Sequence, residues 1–408
     1  MLDWLVIGGG PHGVHVAARL LGEAGVPRDK VRILDDEEVL LARWRRCTRN
    51  TGMRFLRSPA VHHLDLSSAS LRRFAEAGKA QGAGQPFTRP YSRPALDLFD
   101  RHSKEVIAKS RLEELHVRGR ANALEISDDH IRVGLEEGCA EDGGSALEAR
   151  HVVLSLGAPR DPEWPEWARR AVESATDQVD SSAIQHIFAP GFELDDDPEH
   201  EVIAVVGAGI SGVQVALRCA KVGRRVLLIS RNPLRSHQFD SDPGWQGPKN
   251  MASFSRIQDP NVRRQKISEA RHRGSVPPDV EASLRSAMAD GTIEHLEGVE
   301  VGAAEFAAGR FCLGVGERQI PVDRVLLATG YTGRRPGEGW LDDAIETHGL
   351  PCADCGFPIV DRGLRWHPRL LVTGALAELE IGPVSRNISG AMRAGERIAA
   401  VARTDLHY

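Results

Sequence analysis

The sequence predicts an α/β fold made of two parallel-sheet units, the second inserted into the first. Three observations lead there. Two short apolar runs pass into the same spacing of glycines, at Gly8, Gly10 and Gly13 and again at Gly207, Gly209 and Gly212. Each glycine set opens a segment of helical period, and a second apolar run follows it. Further apolar runs end on Gly157, Gly330 and Gly374, as additional strands of such sheets would.

The first unit begins at once. Leu5, Val6 and Ile7 read as a buried strand. Gly8 permits the tight turn, Gly10 lets the backbone approach a pyrophosphate, and Gly13 lets the next helix lie against the strand. VHVAARLL supplies that helix, whose first N–H groups and dipole would face phosphates. Val31 to Leu34 makes the second strand, ending at Asp35, with Asp36 beside it. An acid at that place accepts the ribose hydroxyls of an adenosine. Together these features describe a Rossmann-like dinucleotide site.

The second unit repeats the pattern with one change. Val202 to Val206 is the strand, Val213 to Lys221 the helix, and Arg224 to Ile229 leads into the next strand, which ends at Ser230 and Arg231. No carboxylate stands there to take a free 2'-hydroxyl. Arg231 suits the extra phosphate of NADP, with Ser230 as a hydroxyl donor and Arg235 as a second cation.

The layout follows from these landmarks. An FAD-binding domain is expected over 1–160 and again over 325–408, with an NAD(P)-binding domain over 161–324 between them. Such an insertion is tolerated where the ends of the inserted piece lie close together. FAD is placed in the first site by fold analogy, because a second site lies downstream. The proline- and acid-rich stretch after Gly157 reads as a loop or short-helix linker, 81–94 as a loop near the cleft, and 116–136 as a small antiparallel unit. The period of 388–400 is helical.

Composition excludes several classes. A length of 408 residues allows two to three domains, and 41% apolar residues suffice for their cores. A net charge of −5 with only short basic runs argues against a nucleic-acid surface. No run is long enough to span a membrane and no signal peptide is visible, so a cytoplasmic protein is expected. The six scattered cysteines fit a reducing compartment. No metal site is expected, and no repeat speaks to oligomeric state, so a homo-oligomer remains compatible.

The two fingerprints, the ATGY motif at Ala328 to Tyr331, the stretch Thr51 to Pro59, and the tail from Gly374 through Arg386-Asn387-Ile388-Ser389-Gly390 resemble the two-dinucleotide-domain flavoproteins. Within them the chain looks most like the lysine and ornithine N-hydroxylase type of class B flavin-dependent monooxygenase. That resemblance implies hydride transfer from NADPH to FAD, then transfer of one oxygen atom of dioxygen from a peroxyflavin to a small substrate, with amine N-hydroxylation as one such reaction. Thr51 to Pro59 is then the candidate flavin-facing loop. Met53 would lie against the ring, and Arg57 would bond a flavin carbonyl or the pyrophosphate. His62, or His63 beside it, would contact substrate. Asn387 would cap the last helix and leave its amides toward the flavin. Trp44 is a candidate to stack near the ring, with core packing as the alternative. Thr329 and Gly374 complete the cofactor-binding set, and Thr329 with Tyr331 also reads as interdomain linker. Gln238 to Lys249, including Trp245, resembles a mobile segment over the nicotinamide.

Two departures limit the resemblance. The stretch SSAIQHIFAPGFEL lacks the glycine spacing of the Baeyer–Villiger signature. The one C-x-x-C, Cys352 to Cys355, lies in neither place where disulfide reductases carry theirs. The alternative reading is an NADPH-dependent flavoprotein reductase that passes electrons to a thiol, quinone or protein acceptor.

Overall fold

Apolar runs without alternation suit a parallel sheet covered on both faces, and both fingerprints sit on such runs. In a computed structural model of the chain, all residues are described except 80–83, 138–143, 160, 175–182, 196–201, 308 and 406–408. Parts of the expected loop from Gln81 and of the acid-rich linker, and Cys139, fall outside the described residues.

The first sheet has the strand order Arg365–His367, Leu370–Val372, Ala146–Leu154, Leu2–Ile7, Val31–Asp35 and His116–Arg118. Its central pairs are parallel, with Ile7 beside both Leu34 and Leu154. The hairpin Ala121–Ile126 and Ile131–Leu135 extends it through an antiparallel pair with Ala146–Leu154. The helices Pro11–Gly22 and Ile388–Asp405 pack on each other over this sheet. Leu5, Val6, Val14, Val16, Val152, Ile398 and Ala402 are fully buried between these layers.

The second sheet is all parallel, in the order Ile293–Glu297, Arg225–Ser230, Val202–Val206, Arg324–Leu327 and Ile184–His186. A separate three-stranded antiparallel layer, Val301–Ala307, Arg310–Val315 and Arg318–Val322, accompanies it. The strand Arg324–Leu327, which the expected boundary at 325 cuts, pairs with Val202–Val206 and closes the second sheet, so the chain crosses back after Leu327. The loop or short-helix linker contains the helix Glu166–Ser174, and it also supplies the edge strand Ile184–His186, which the sequence reading lacks. Three residues are too few to show a period, so this strand could not be told from a loop. The 248–254 and 260–270 segments are helical and cap the cleft side of the second unit against the tail of the chain. Among the described residues no helix is long and apolar enough to cross a membrane.

Candidate functional site

Both glycine turns have the geometry their spacing requires. Gly8 sits at φ +111, and a Cβ there would meet the Ser155 carbonyl oxygen at 2.3 Å. A Cβ on Gly13 would meet the Gly8 carbonyl oxygen at 1.8 Å. In the second turn Gly207 has φ +114 with the Ala328 oxygen at 2.5 Å, and Gly212 would meet the Gly207 oxygen at 1.8 Å. The outer glycines are therefore forced by packing. The middle ones are not: nothing lies within 4 Å of a Cβ on Gly10, and only the Cα of Gly274, at 3.6 Å, approaches one on Gly209. The helices Pro11–Gly22 and Ile210–Lys221 begin at these open glycines with no side-chain cap and no acid in the first turn. Their free N–H groups and positive dipole ends thus face empty space of the right kind for a pyrophosphate.

Asp35 is placed behind the first turn. Its Oδ2 accepts from the Gly9 N–H and its Oδ1 accepts from the Glu37 N–H at 2.9 Å. Burial raises its pKa, and the two N–H donors act against that rise. One lone pair on each oxygen is thus committed to the loop, which holds the turn. Trp44 tilts against Phe99, with centroids 5.8 Å apart, and packs on the first core. Packing, the alternative reading of this residue, is what the structure shows.

At the second strand end, Ser230 is buried. Its Oγ donates to the Asn232 carbonyl at 3.1 Å and lies 2.9 Å from His295 Nε2. The hydroxyl expected to reach a phosphate is thereby tied into the strand end. Arg231 is exposed and lies 3.5 Å from Glu300, and both side chains are open to solvent. A pair of that kind contributes about 0–1 kcal/mol and exchanges easily for a phosphate. Arg235 is likewise exposed, on the short strand Arg235–Ser236.

Of the expected flavin-facing side chains, Arg57 and Asn387 serve the junction between the units. Arg57 Nε donates to the Gln238 carbonyl at 2.8 Å, and one terminal nitrogen donates to the His237 carbonyl at 2.7 Å and to Ser275 Oγ at 2.8 Å. This guanidinium, expected on a flavin carbonyl or pyrophosphate, instead binds the second unit. Asn387 precedes the last helix as expected, but its Nδ2 donates to Asp240 Oδ1 at 3.1 Å rather than capping the helix. Met53 packs on the first core. His62 is half-buried, and burial, with Arg393 and His63 nearby, lowers its pKa to about 4. His63 is fully buried and clamps its own loop, through Ser68 and Asp65. Thr329 Oγ1 donates to the Glu163 carbonyl, and Tyr331 stacks on Phe188 at 5.2 Å, so both shape the crossover. Trp245 packs edge-on against Phe254 in a core cluster and is held in place rather than left as a free cover.

Two features near the first cradle and the junction escaped the sequence reading. The first is His12, one residue beyond Pro11. Its Nδ1 lies 2.8 Å from Thr373 Oγ1, and its ring lies 3.7 Å from where a Cβ on Gly374 would stand. Burial lowers its pKa to about 4, so it is neutral near pH 7. Gly374, at φ +65, lets the tail turn there beside the first fingerprint. The second is Glu378, whose side chain is fully buried. It receives Arg264 and Arg271 from the second unit and Arg386 from its own, the latter two at 2.9 Å. Burial lowers the pKa of all three arginines, and each of them contacts the Glu378 carboxylate. Arg263, bonded to Glu380 at 2.7 Å, extends this clamp. Elsewhere Arg93 reaches Asp279, and Asn50 bonds both Phe192 and Leu194. The two cradles are therefore held by charged and polar contacts from several sides.

Comparisons with known proteins agree with this architecture. A sequence model of the family described as Pyridine nucleotide-disulphide oxidoreductase matches residues 2–243. No curated protein matches the chain. Among solved structures, an ornithine N-hydroxylase from Kutzneria sp. 744, with reduced FAD, NADP+ and L-ornithine, has a TM-score of 0.76 at 16% identity, covering 99% of this chain and 100% of that one. An ornithine hydroxylase from Pseudomonas aeruginosa has a TM-score of 0.74 at 17% identity, covering 99% of each chain. A bacillithiol disulfide reductase from Bacillus cereus has a TM-score of 0.57 at 17% identity, again over 99% of each. At these identities the likeness is one of fold.

Proposed function

The chain belongs to the pyridine nucleotide-disulphide oxidoreductase family, and from that membership we propose that it is an FAD- and NADPH-dependent monooxygenase that transfers one oxygen atom to a small substrate, with N-hydroxylation of an amine as its reaction. The observation that carries this reading is the clamped pair of open cradles. Here a fully buried glutamate receives arginines from both sides of the junction. A fixed junction suits an enzyme that keeps oxidised NADP in place while oxygen chemistry proceeds in a dry cleft. The stronger fold likeness to ornithine N-hydroxylases than to the disulfide reductase supports the same choice.

The residues fit the two cofactors. In this reading FAD lies along the first cradle. The helix that starts at Pro11 binds its pyrophosphate, Asp35 its ribose, and neutral His12 supports the turn at Gly374. NADPH lies along the second cradle, with the helix that starts at Ile210 on its pyrophosphate and Arg231 on its 2'-phosphate. When bound, the pair supplies hydride transfer and dioxygen activation. The chain's own part is to orient the two rings, exclude water, and favour the neutral form of an amine by desolvation. Asn387 and Asp240 stand where the two units meet and position the flavin end of the last helix. We place the protein in the cytoplasm, where its free thiols stay reduced, acting on a small molecule without nucleic acid or membrane.

The test is direct. Purify the protein, identify the bound flavin, and follow NADPH and oxygen consumption with a panel of primary amines. A product heavier by one oxygen supports the proposal. Turnover with a thiol, quinone or protein acceptor and no oxygenated product overturns it in favour of the reductase.

A further inference from the structure

Cys352 and Cys355 take no part in either cradle, and both are free thiols. They flank a closed turn. The Gly356 N–H donates to the Ala353 carbonyl at 2.8 Å, the Ala353 N–H donates to the Phe357 carbonyl at 3.0 Å, and Cys352 bridges to Pro358. Gly356 takes φ +76, a conformation that lets the chain reverse immediately after Cys355. The turn is anchored on both sides. Asp354 exchanges two hydrogen bonds with Asn261, at 2.8 and 3.2 Å. Phe357 is fully buried beneath the Arg264 guanidinium, 4.2 Å from it.

The two thiols differ in environment. Cys355 is exposed. Cys352 is half-buried, and burial raises the pKa of its thiol. An exposed thiol three residues from a half-buried one, at a closed turn, is the arrangement of an attacking and a resolving cysteine.

We propose that Cys352 and Cys355 form a redox modification site that hydrogen peroxide converts to an intramolecular disulfide. The Cys355 thiolate attacks one peroxide oxygen and the O–O bond breaks. Cys355 becomes a sulfenic acid, and the departing hydroxide takes a proton and leaves as water. The Cys352 sulfur then attacks the sulfenic sulfur. The S–S bond forms, the S–O bond breaks, and a second water leaves with the Cys352 proton. Two thiols lose two electrons in all, and peroxide gains them. A dithiol reductant returns the electrons and restores both thiols. This site stands independently of the oxygen-transfer reading.

The experiment uses the whole protein as purified. Reduce it, expose it to hydrogen peroxide, alkylate the remaining thiols, digest with trypsin, and weigh the peptide that holds both cysteines. The expected peptide is lighter by two hydrogens, carries no alkyl group, and recovers two alkylation sites after dithiothreitol. Cys352→Ser should leave a sulfenic acid on Cys355 that dimedone traps. Cys355→Ser should leave Cys352 alkylated, with its oxidation slowed at least about tenfold. Cys312→Ser should behave as the parent. Full alkylation of both cysteines after peroxide would overturn the proposal. So would over-oxidation of Cys355 without the crosslink, or a crosslink to any other cysteine.

Discussion

Replacing Glu378 with Gln tests the clamp most sharply. The substitution keeps the shape and removes the one negative charge that three arginines share. A charge pair at about 4 Å contributes ~4 kcal/mol at an effective dielectric of ~20, and the arginines' mutual repulsion offsets part of the sum over three contacts. Removing one partner of a buried ion pair costs ~3–5 kcal/mol, because the remaining charges stay buried without compensation. Glu378 is fully buried, and the Arg264, Arg271 and Arg386 side chains keep 20%, 12% and 34% of their exposure, so solvent relieves Arg264 and Arg271 less than Arg386. The expected result is a fall in melting temperature on the order of 4–6 °C, read by calorimetry of the flavin-loaded protein. NADPH oxidation should become poorly coupled to product, with more peroxide released, because the junction no longer holds. Adding Arg386→Gln to the variant should cost less than Arg386→Gln alone, since the two act on one network. An unchanged melting temperature and unchanged coupling would refute the clamp.

Further outcomes follow from other parts of the structure. Gly212→Ala puts a Cβ 1.8 Å from the Gly207 carbonyl oxygen, so it should retain FAD yet lose NADPH-dependent reduction, seen as absent flavin bleaching in anaerobic stopped flow. Arg231→Gln removes an exposed cation near Glu300, so the preference for NADPH over NADH should fall roughly 10–100-fold in kcat/KM with melting temperature unchanged. His12 has a folded pKa of about 4 against an ordinary 6.5, so the unfolded chain takes up the proton first as pH falls. Its contribution is complete above pH 6.5 and is lost between 6.5 and 4, amounting to ~2 kcal/mol between pH 7.5 and pH 5. His12→Asn should flatten that part of the acid-dependence of urea stability, and an unaltered slope would show that the ring is not neutral in the fold.

The parts of this molecule that could be read from residue order alone are those whose physics is local. Glycine spacing is one, since Gly8, Gly13, Gly207 and Gly212 are each demanded by a turn and a close helix within a few residues. The uninterrupted apolar runs next to them specify parallel strands for the same reason, and the open helix ends at Gly10 and Gly209 come with them. The place of Arg231 at a strand end could be read because strand ends have a fixed position in such units. The rest depended on chain segments far apart in sequence. Arg57 met Gln238 and Ser275, Asn387 met Asp240, and Ser230 turned inward to His295. The strand Arg324–Leu327 looked the same from either side of the domain boundary until its partner, Val202–Val206, was known. Glu378 carries no local mark, because its meaning lies in arginines brought from Arg264 and Arg271 by the packing of the second unit on the tail. A charge recruits its partner through space, and the spacing of residues along the chain does not encode which one arrives.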